Sequence, residues 1–172
     1  MPGQDIALMA HLLRRAGFGA SRSEIEAKAS EGYGATVEDM LNPSAQPMID
    51  EDLMLRYHPT YNHAGAIEIN TQNWVYRMIN SPRQLQEKMS LFWHMIFCAG
   101  HSKIDSGEEM GRMISMFRDN GMGNFRDLLY KLSTNPGMMY YLDNSESHKT
   151  CLLYTSDAAD EGLGVDLGGR RI

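Results

Sequence analysis

The chain has 172 residues, of which 42% are apolar and 22% charged, and this composition is typical of a soluble globular domain. The formal net charge of −6 offers no basic footprint to neutralise phosphates, so we expect no nucleic-acid binding. No apolar run approaches the ~20 residues that a membrane span needs, and the N-terminal segment lacks the pattern of a secretory signal. We therefore expect a cytoplasmic protein without a membrane span.

The first third of the sequence predicts three short helices. Apolar residues recur at helical spacing across residues 5–16, and this stripe is typical of an amphipathic helix. Ser21 and Glu24 have the spacing of a capping box, which predicts the start of a second helix. Gly32 and Gly34 are expected to end the second helix, before a third helix at residues 36–41.

The middle of the sequence contains the longest predicted loop and a strong helix-start signal. Residues 43–63 are expected to form this loop, with room for one short helix, and residues 64–79 are predicted to be helical. Ser81 is a good N-cap, Pro82 is favoured at the first helical position, and Gln84 completes a capping box. The second half of the helix that follows is apolar nearly all round, so we expect it at the centre of the fold.

Three further helices are predicted in the last third, each preceded by a residue that caps helices well. The expected caps are Asp105 or Ser106, then Asn124 and Asn135. No segment alternates as a strand does, so the sequence predicts an all-α fold, an irregular multi-helix array. Because most of the 14 methionines lie at helical spacing beside other apolar residues, we expect them in the core rather than along a binding groove.

The last 22 residues differ from the rest of the chain. Residues 151–172 carry no helical stripe and are rich in glycine. Residues 151–160 and 164–172 can both be encoded, in order and in frame, by the adaptor and primer used to prepare sequencing libraries. We therefore interpret residues 1–150 as the N-terminal portion of a helical domain, and residues 151–172 as translated adaptor sequence.

Three blocks of the sequence carry a resemblance to a known family. They are residues 10–19, residues 85–94, and residues 123–129 continuing to the Leu-Asp-Asn at 142–144. In order and spacing they resemble the bacterial domain-of-unknown-function family numbered 1800. The resemblance implies a helical fold without an assigned activity, and many members are exported and encoded beside a secreted protein with an alkaline-phosphatase-like fold. A second family motif, which normally follows the Leu-Asp-Asn block, is missing here, so we expect the chain to be truncated.

The most interesting candidate for chemistry is His94. Glu87, Ser90 and His94 have the spacing i, i+3, i+7 and therefore share one face of a helix. Such a stripe in an apolar helix suits a metal ligand or a general base. The alternative is a packed histidine whose nitrogen is satisfied by a neighbour, since one histidine without partners is not a metal site.

Two further clusters are candidates for a site. Asp143 is a candidate catalytic residue, and with the polar side chains after it offers oxygen and imidazole ligands for a metal; the alternative is a turn that ends a helix. The polar side chains that follow are Asn144, Glu146 and His148. A third cluster of basic residues in the first helix suits a phosphate or carboxylate, unless these side chains pair with acids elsewhere. These basic residues are His11, Arg14 and Arg15.

Three functions remain open from the sequence. The first is an uncharacterised helical domain, an incomplete fragment with a scaffold or interaction role. The second is a metal-dependent or hydrolase-like enzyme that uses His94 and the region from Asp143 to His148. The third, which the resemblance implies, is a partner subunit of the phosphatase-like neighbour. Cofactor and oligomeric state are unknown at this point.

Overall fold

The computed structural model describes residues 2–50, 52, 56 and 67–144, and within them every regular element is helical, which confirms the all-α prediction. Among these residues no helix is both long and apolar enough to cross a membrane. In chain order the elements are α1 (Pro2–Ala16), α2 (Arg22–Glu31), α3 (Tyr33–Leu41), a 3₁₀ turn (Pro43–Ala45), α4 (Ile67–Asn80), α5 (Gln84–Ile96), α6 (His101–Ile104), α7 (Gly107–Asn120), α8 (Phe125–Ser133) and α9 (Pro136–Tyr141).

Helix α7 lies at the centre of the described fold. Helices α4, α5, α8 and α9 all pack against it. Its apolar stripe is buried, and Met113 and Phe117 are completely inaccessible to solvent. Leu128 and Leu132 of α8 and Met138 of α9 complete the same core cluster. The core therefore forms around one amphipathic helix whose stripe is visible in the sequence.

Helices α1 to α3 pack on one another and join the body at the start of α5. Met9 and Leu13 are the buried residues of the α1 stripe. The main-chain N–H of Phe18 donates to Oε1 of Gln84 over 3.3 Å. The Lys88 ammonium lies 4.7 Å from the centre of the Phe18 ring, so a cation–π contact adds to this attachment.

The N-cap residues in the sequence correctly predicted most helix starts. Four predicted caps are confirmed, because in each the side chain accepts a main-chain N–H of the first turn; they are Ser21, Ser106, Asn124 and Asn135. The break predicted at Gly32 is confirmed, whereas the one predicted at Gly34 is wrong, because Gly34 lies inside α3. The chain turns at Gly32, whose φ of 102° is a backbone conformation that residues with a Cβ rarely adopt. Helix α3 starts directly after it.

The N-cap predicted at Ser81 is also wrong. Helix α5 begins at Gln84, and Arg83 precedes it without a side-chain cap. The N–H of Ser81 donates to the carbonyl of Arg77 over 2.9 Å, so Ser81 still belongs to the end of α4. The Gln84 amide donates to the carbonyls of Met78 and Ser81. It therefore closes the end of α4, where main-chain carbonyls lack helical partners.

The prediction that the second half of α5 lies at the centre of the fold is wrong. Phe92 is 46% exposed, Ile96 is 52% exposed, and Met95 points largely to solvent. The side of α5 that packs on α7 instead carries Glu87 and Ser90, both buried. Apolar residues all round this helix therefore reflect a second apolar surface rather than complete burial.

The methionines divide between core and surface. Met9, Met110, Met113 and Met138 are buried, as predicted, whereas others such as Met95 are exposed. Most of the predicted loop at residues 43–63 lies outside the described residues.

Candidate functional site

His94 lies on the side of α5 that faces α4 and α7. Its ring meets Trp74 edge-on with the ring centres 5.2 Å apart, and Phe117 with the centres 6.4 Å apart. Nδ1 of His94 and Nε1 of Trp74 are buried and have no hydrogen-bond partner in the described part of the chain. Burial lowers the pKa of His94 below its usual 6.5, so the neutral imidazole is favoured near neutral pH. A neutral ring of this kind is able to accept a proton.

The predicted common face of Glu87, Ser90 and His94 exists, and its polar groups bind α7. The Nε of Arg118 donates to Oε1 of Glu87 over 2.7 Å. Ser90 donates its hydroxyl hydrogen to the carbonyl of Ile114 over 3.1 Å. These bonds tie α5 to α7, so Glu87 and Ser90 hold helices together and form no hydrogen bond to His94 within the described residues.

Asp143 is not joined to His94 by any described contact. Its carboxylate forms an ion pair with Lys103 over 2.7 Å, and its backbone is left-handed, with φ 58°. Asn144 is exposed beside it, while Glu146 and His148 lie outside the described residues. Among the residues described, no three His, Cys, Asp or Glu side chains are grouped as metal ligands. The described end of this cluster therefore forms the turn that follows α9.

The basic cluster of α1 is exposed. His11, Arg14 and Arg15 share one face of the helix, and no ion pair joins them to a carboxylate in the described ranges. Arg14 and Arg15 lie in the last turn of α1, where cations interact favourably with the helix dipole. Anion binding at this cluster stays a prediction.

A partly exposed aromatic cluster lies elsewhere, where α5 meets α8. Trp93 stacks on Phe97 and Phe125, with ring centres 5.8 and 5.5 Å apart, and meets Phe92 edge-on over 5.0 Å. Ile96 lies one turn from Phe92 on α5, and Leu129 lies one turn from Phe125 on α8. We call this set the aromatic surface; its members are Phe92, Trp93, Ile96, Phe97, Phe125 and Leu129.

The sequence did not predict the aromatic surface, because the apolar residues of α5 were expected in the core. Four of its members are exposed: Phe92 by 46%, Ile96 by 52%, Phe125 by 52% and Leu129 by 37%. A signal was present in the sequence, since α5 carries apolar residues on more sides than one core contact can cover.

Comparison with known proteins identifies a family that matches most of the chain. No curated protein and no solved structure matches the chain. The family described as "Protein of unknown function (DUF1800)" matches residues 11–152. This range includes His94, Asp143 and the whole aromatic surface, and it confirms the resemblance of the sequence blocks. The chain belongs to the DUF1800 family.

Proposed function

We propose that this domain is a helical interaction module that binds a protein partner through the aromatic surface. The observation that carries the proposal is the exposure of Phe92, Ile96, Phe125 and Leu129 around a packed aromatic stack. Contiguous exposed apolar groups are characteristic of protein-binding sites. Aromatic side chains are also enriched among the residues that dominate binding energy.

The contacts beneath the aromatic surface support this role, because they fix its shape before a partner arrives. The indole N–H of Trp93 donates to the carbonyl of Gly121 over 2.7 Å. Phe125 is the first residue of α8, directly after the cap Asn124. Side chains held in one conformation lose little entropy on binding, and this raises affinity for a given contact area.

The family resemblance supplies the first partner to test, the alkaline-phosphatase-like protein encoded beside family members. The experiment measures its affinity for the unaltered chain and for Phe125→Glu by titration calorimetry. A buried charge at a central position should weaken binding by at least about tenfold. The matched control is Leu41→Glu, because Leu41 of α3 is similarly exposed, at 57%, and lies outside the aromatic surface.

Two results would contradict the proposal as stated. One is the absence of binding by the unaltered chain. The other is an equal loss of affinity in Phe125→Glu and Leu41→Glu, which would show that the aromatic surface is no different from any other exposed apolar residue.

A second candidate is a metal-dependent or hydrolase-like enzyme that uses His94, with Asp143 as a further catalytic group. The observation in its favour is the buried, unpartnered Nδ1 of His94 and its lowered pKa. Its test is the metal content of the purified protein together with the hydrolase activity and stability of His94→Asn. Loss of metal or activity at unchanged stability would support the enzyme, whereas a change in stability alone would contradict it.

A further inference from the structure

A second feature is a cavity of about 630 Å³ between the N-terminal helices and the junction of α4 with α5. This volume falls within the ~300–1,000 Å³ common for small-molecule sites. Part of its wall is apolar and comes from four elements: Leu13 of α1, Met40 of α3, Met78 of α4 and Leu85 of α5. These side chains are buried or half-buried, so together they can cover an apolar ligand.

Most charged groups of the cavity already have ion-pair or hydrogen-bond partners among their neighbours. The Lys28 ammonium lies 2.9 Å from a carboxylate oxygen of Glu31 and 3.4 Å from one of Asp39. The hydrogen bond to Glu31 is the main cause that raises the pKa of Lys28. The Glu24 carboxylate accepts the main-chain N–H of Ser21 over 2.7 Å as part of the capping box.

Among the charged residues of the cavity, Arg83 differs in having no ion-pair partner among the described residues. Its Nε and Nη2 donate to the carbonyl of Gln46 over 2.9 and 2.6 Å, and no ion pair joins it to a carboxylate in the described residues. A guanidinium carries five N–H donors, so further donors remain beside these two bonds. A half-buried cation beside apolar walls is stabilised by an anion that accepts two parallel hydrogen bonds.

We propose that this cavity binds a small carboxylic acid with an apolar body, as in a medium-chain fatty acid. The carboxylate pairs with Arg83, and the body lies among Leu13, Met40, Met78 and Leu85. A single negative charge is favoured over a phosphate dianion, because Asp39 and Glu24 also line the cavity and repel additional negative charge.

The test uses decanoate, below its micelle concentration, in a calorimetric titration of the full chain. We expect one saturable site per chain. Arg83→Met should weaken binding by about tenfold or more, because hydrogen bonds to charged groups contribute most. Arg112→Met, which removes an exposed arginine outside the cavity, should bind as the unaltered chain does.

Two additional measurements keep the test decisive. Decanol shares the apolar body but lacks the charge, so it should bind the unaltered protein more weakly than decanoate, even where Arg83→Met fails to fold. Phe125→Glu should retain decanoate binding, which separates the cavity from the aromatic surface. The proposal is overturned by equal affinities for decanoate and decanol, by non-saturable binding, by unchanged binding in a folded Arg83→Met, or by loss of binding in Phe125→Glu.

Discussion

The ion pair between Glu87 and Arg118 is a buried charge interaction at the centre of the fold. Glu87 is 2% exposed, and the side chain of Arg118 is 12% exposed. Removing two charges from water is costly, so each depends on the other for compensation. By contrast, Arg112 on the same helix pairs with Glu108 and Glu109 while 61% of its side chain is exposed.

Substitution of these two arginines should therefore give different losses of stability. Arg118→Met leaves the buried Glu87 without its partner and should reduce the free energy of unfolding by about 3 kcal/mol. Arg112→Met removes only solvent-screened pairs and should cost less than about 1 kcal/mol. Urea denaturation of both variants measures the difference, and equal losses would contradict a central role for the buried pair.

His94 should make stability depend on pH. Its folded pKa lies below 6.5 because of burial, so the unfolded chain binds the proton more readily. The stabilisation by the neutral ring is complete above the unfolded pKa and is lost as pH falls through the lower folded pKa. The urea concentration at the denaturation midpoint should decrease as the pH is lowered from about 7.5 to 5. His94→Leu should make this decrease smaller.

The matched control for this experiment is His11→Leu, because His11 is exposed on α1. It should retain the pH dependence of the unaltered chain. A slope that persists in His94→Leu would mean that other groups cause the acid sensitivity.

At the residue scale, the sequence predicted positions along a helix but not partners across it. The common face of Glu87, Ser90 and His94 follows from the helical period, which is a local property. The partners Arg118 and Trp74 come from α7 and α4, and no periodicity predicts which side chains on separate helices will meet. Assigning any role to His94 therefore required the packed structure.

At the element scale, α5 closely approaches the turn that follows α7. A Cβ added to Gly121 would lie 2.7 Å from Cδ1 of Trp93, closer than packed atoms allow, and would also meet the carbonyl oxygen of Phe117. The indole N–H of Trp93 already donates to the Gly121 carbonyl. The absence of a side chain at Gly121 thus permits the contact that fixes the aromatic surface.

Alanine substitution should consequently have opposite effects at two glycines. Gly121→Ala should reduce the free energy of unfolding by about 1–3 kcal/mol through overpacking. Gly34 lies in the first turn of α3, and no side chain among the described residues lies within 4 Å of the added carbon, so Gly34→Ala should raise stability by up to about 1 kcal/mol. Thermal denaturation of both variants tests this, and stabilisation by Gly121→Ala would contradict the close contact.

Helix starts were predictable where one residue and its own first turn decide them. Asn124 and Asn135 cap by bonding N–H groups two or three positions ahead, so sequence proximity is sufficient. The cap predicted at Ser81 was wrong because Ser81 hydrogen-bonds to the last turn of α4 instead of starting α5. The prediction that the second half of α5 is buried was wrong because the sequence does not show how many neighbouring helices cover a helix.

At the scale of the whole molecule, family membership covers residues 11–152 and therefore the aromatic surface and Arg83. The assignment of residues 151–172 to adaptor sequence stays a prediction, because these residues lie outside the described part of the structure. Re-amplifying and sequencing the source DNA across codon 150 tests it. We expect a continuation that differs from residues 151–172, whereas the same codons in genomic DNA would contradict the adaptor interpretation.

The interaction role is tested most directly by hydrogen exchange of the chain with and without its candidate phosphatase-like partner, followed by mass spectrometry. If the partner binds the aromatic surface, main-chain amides at residues 92–97 and 121–129 should exchange more slowly in the complex. The exchange rates of residues 33–41 in α3 should stay the same. Partner contacts slow the local opening through which amides exchange. Protection confined to other segments, or none at partner concentrations that saturate binding, would contradict the proposal that this surface is the binding site.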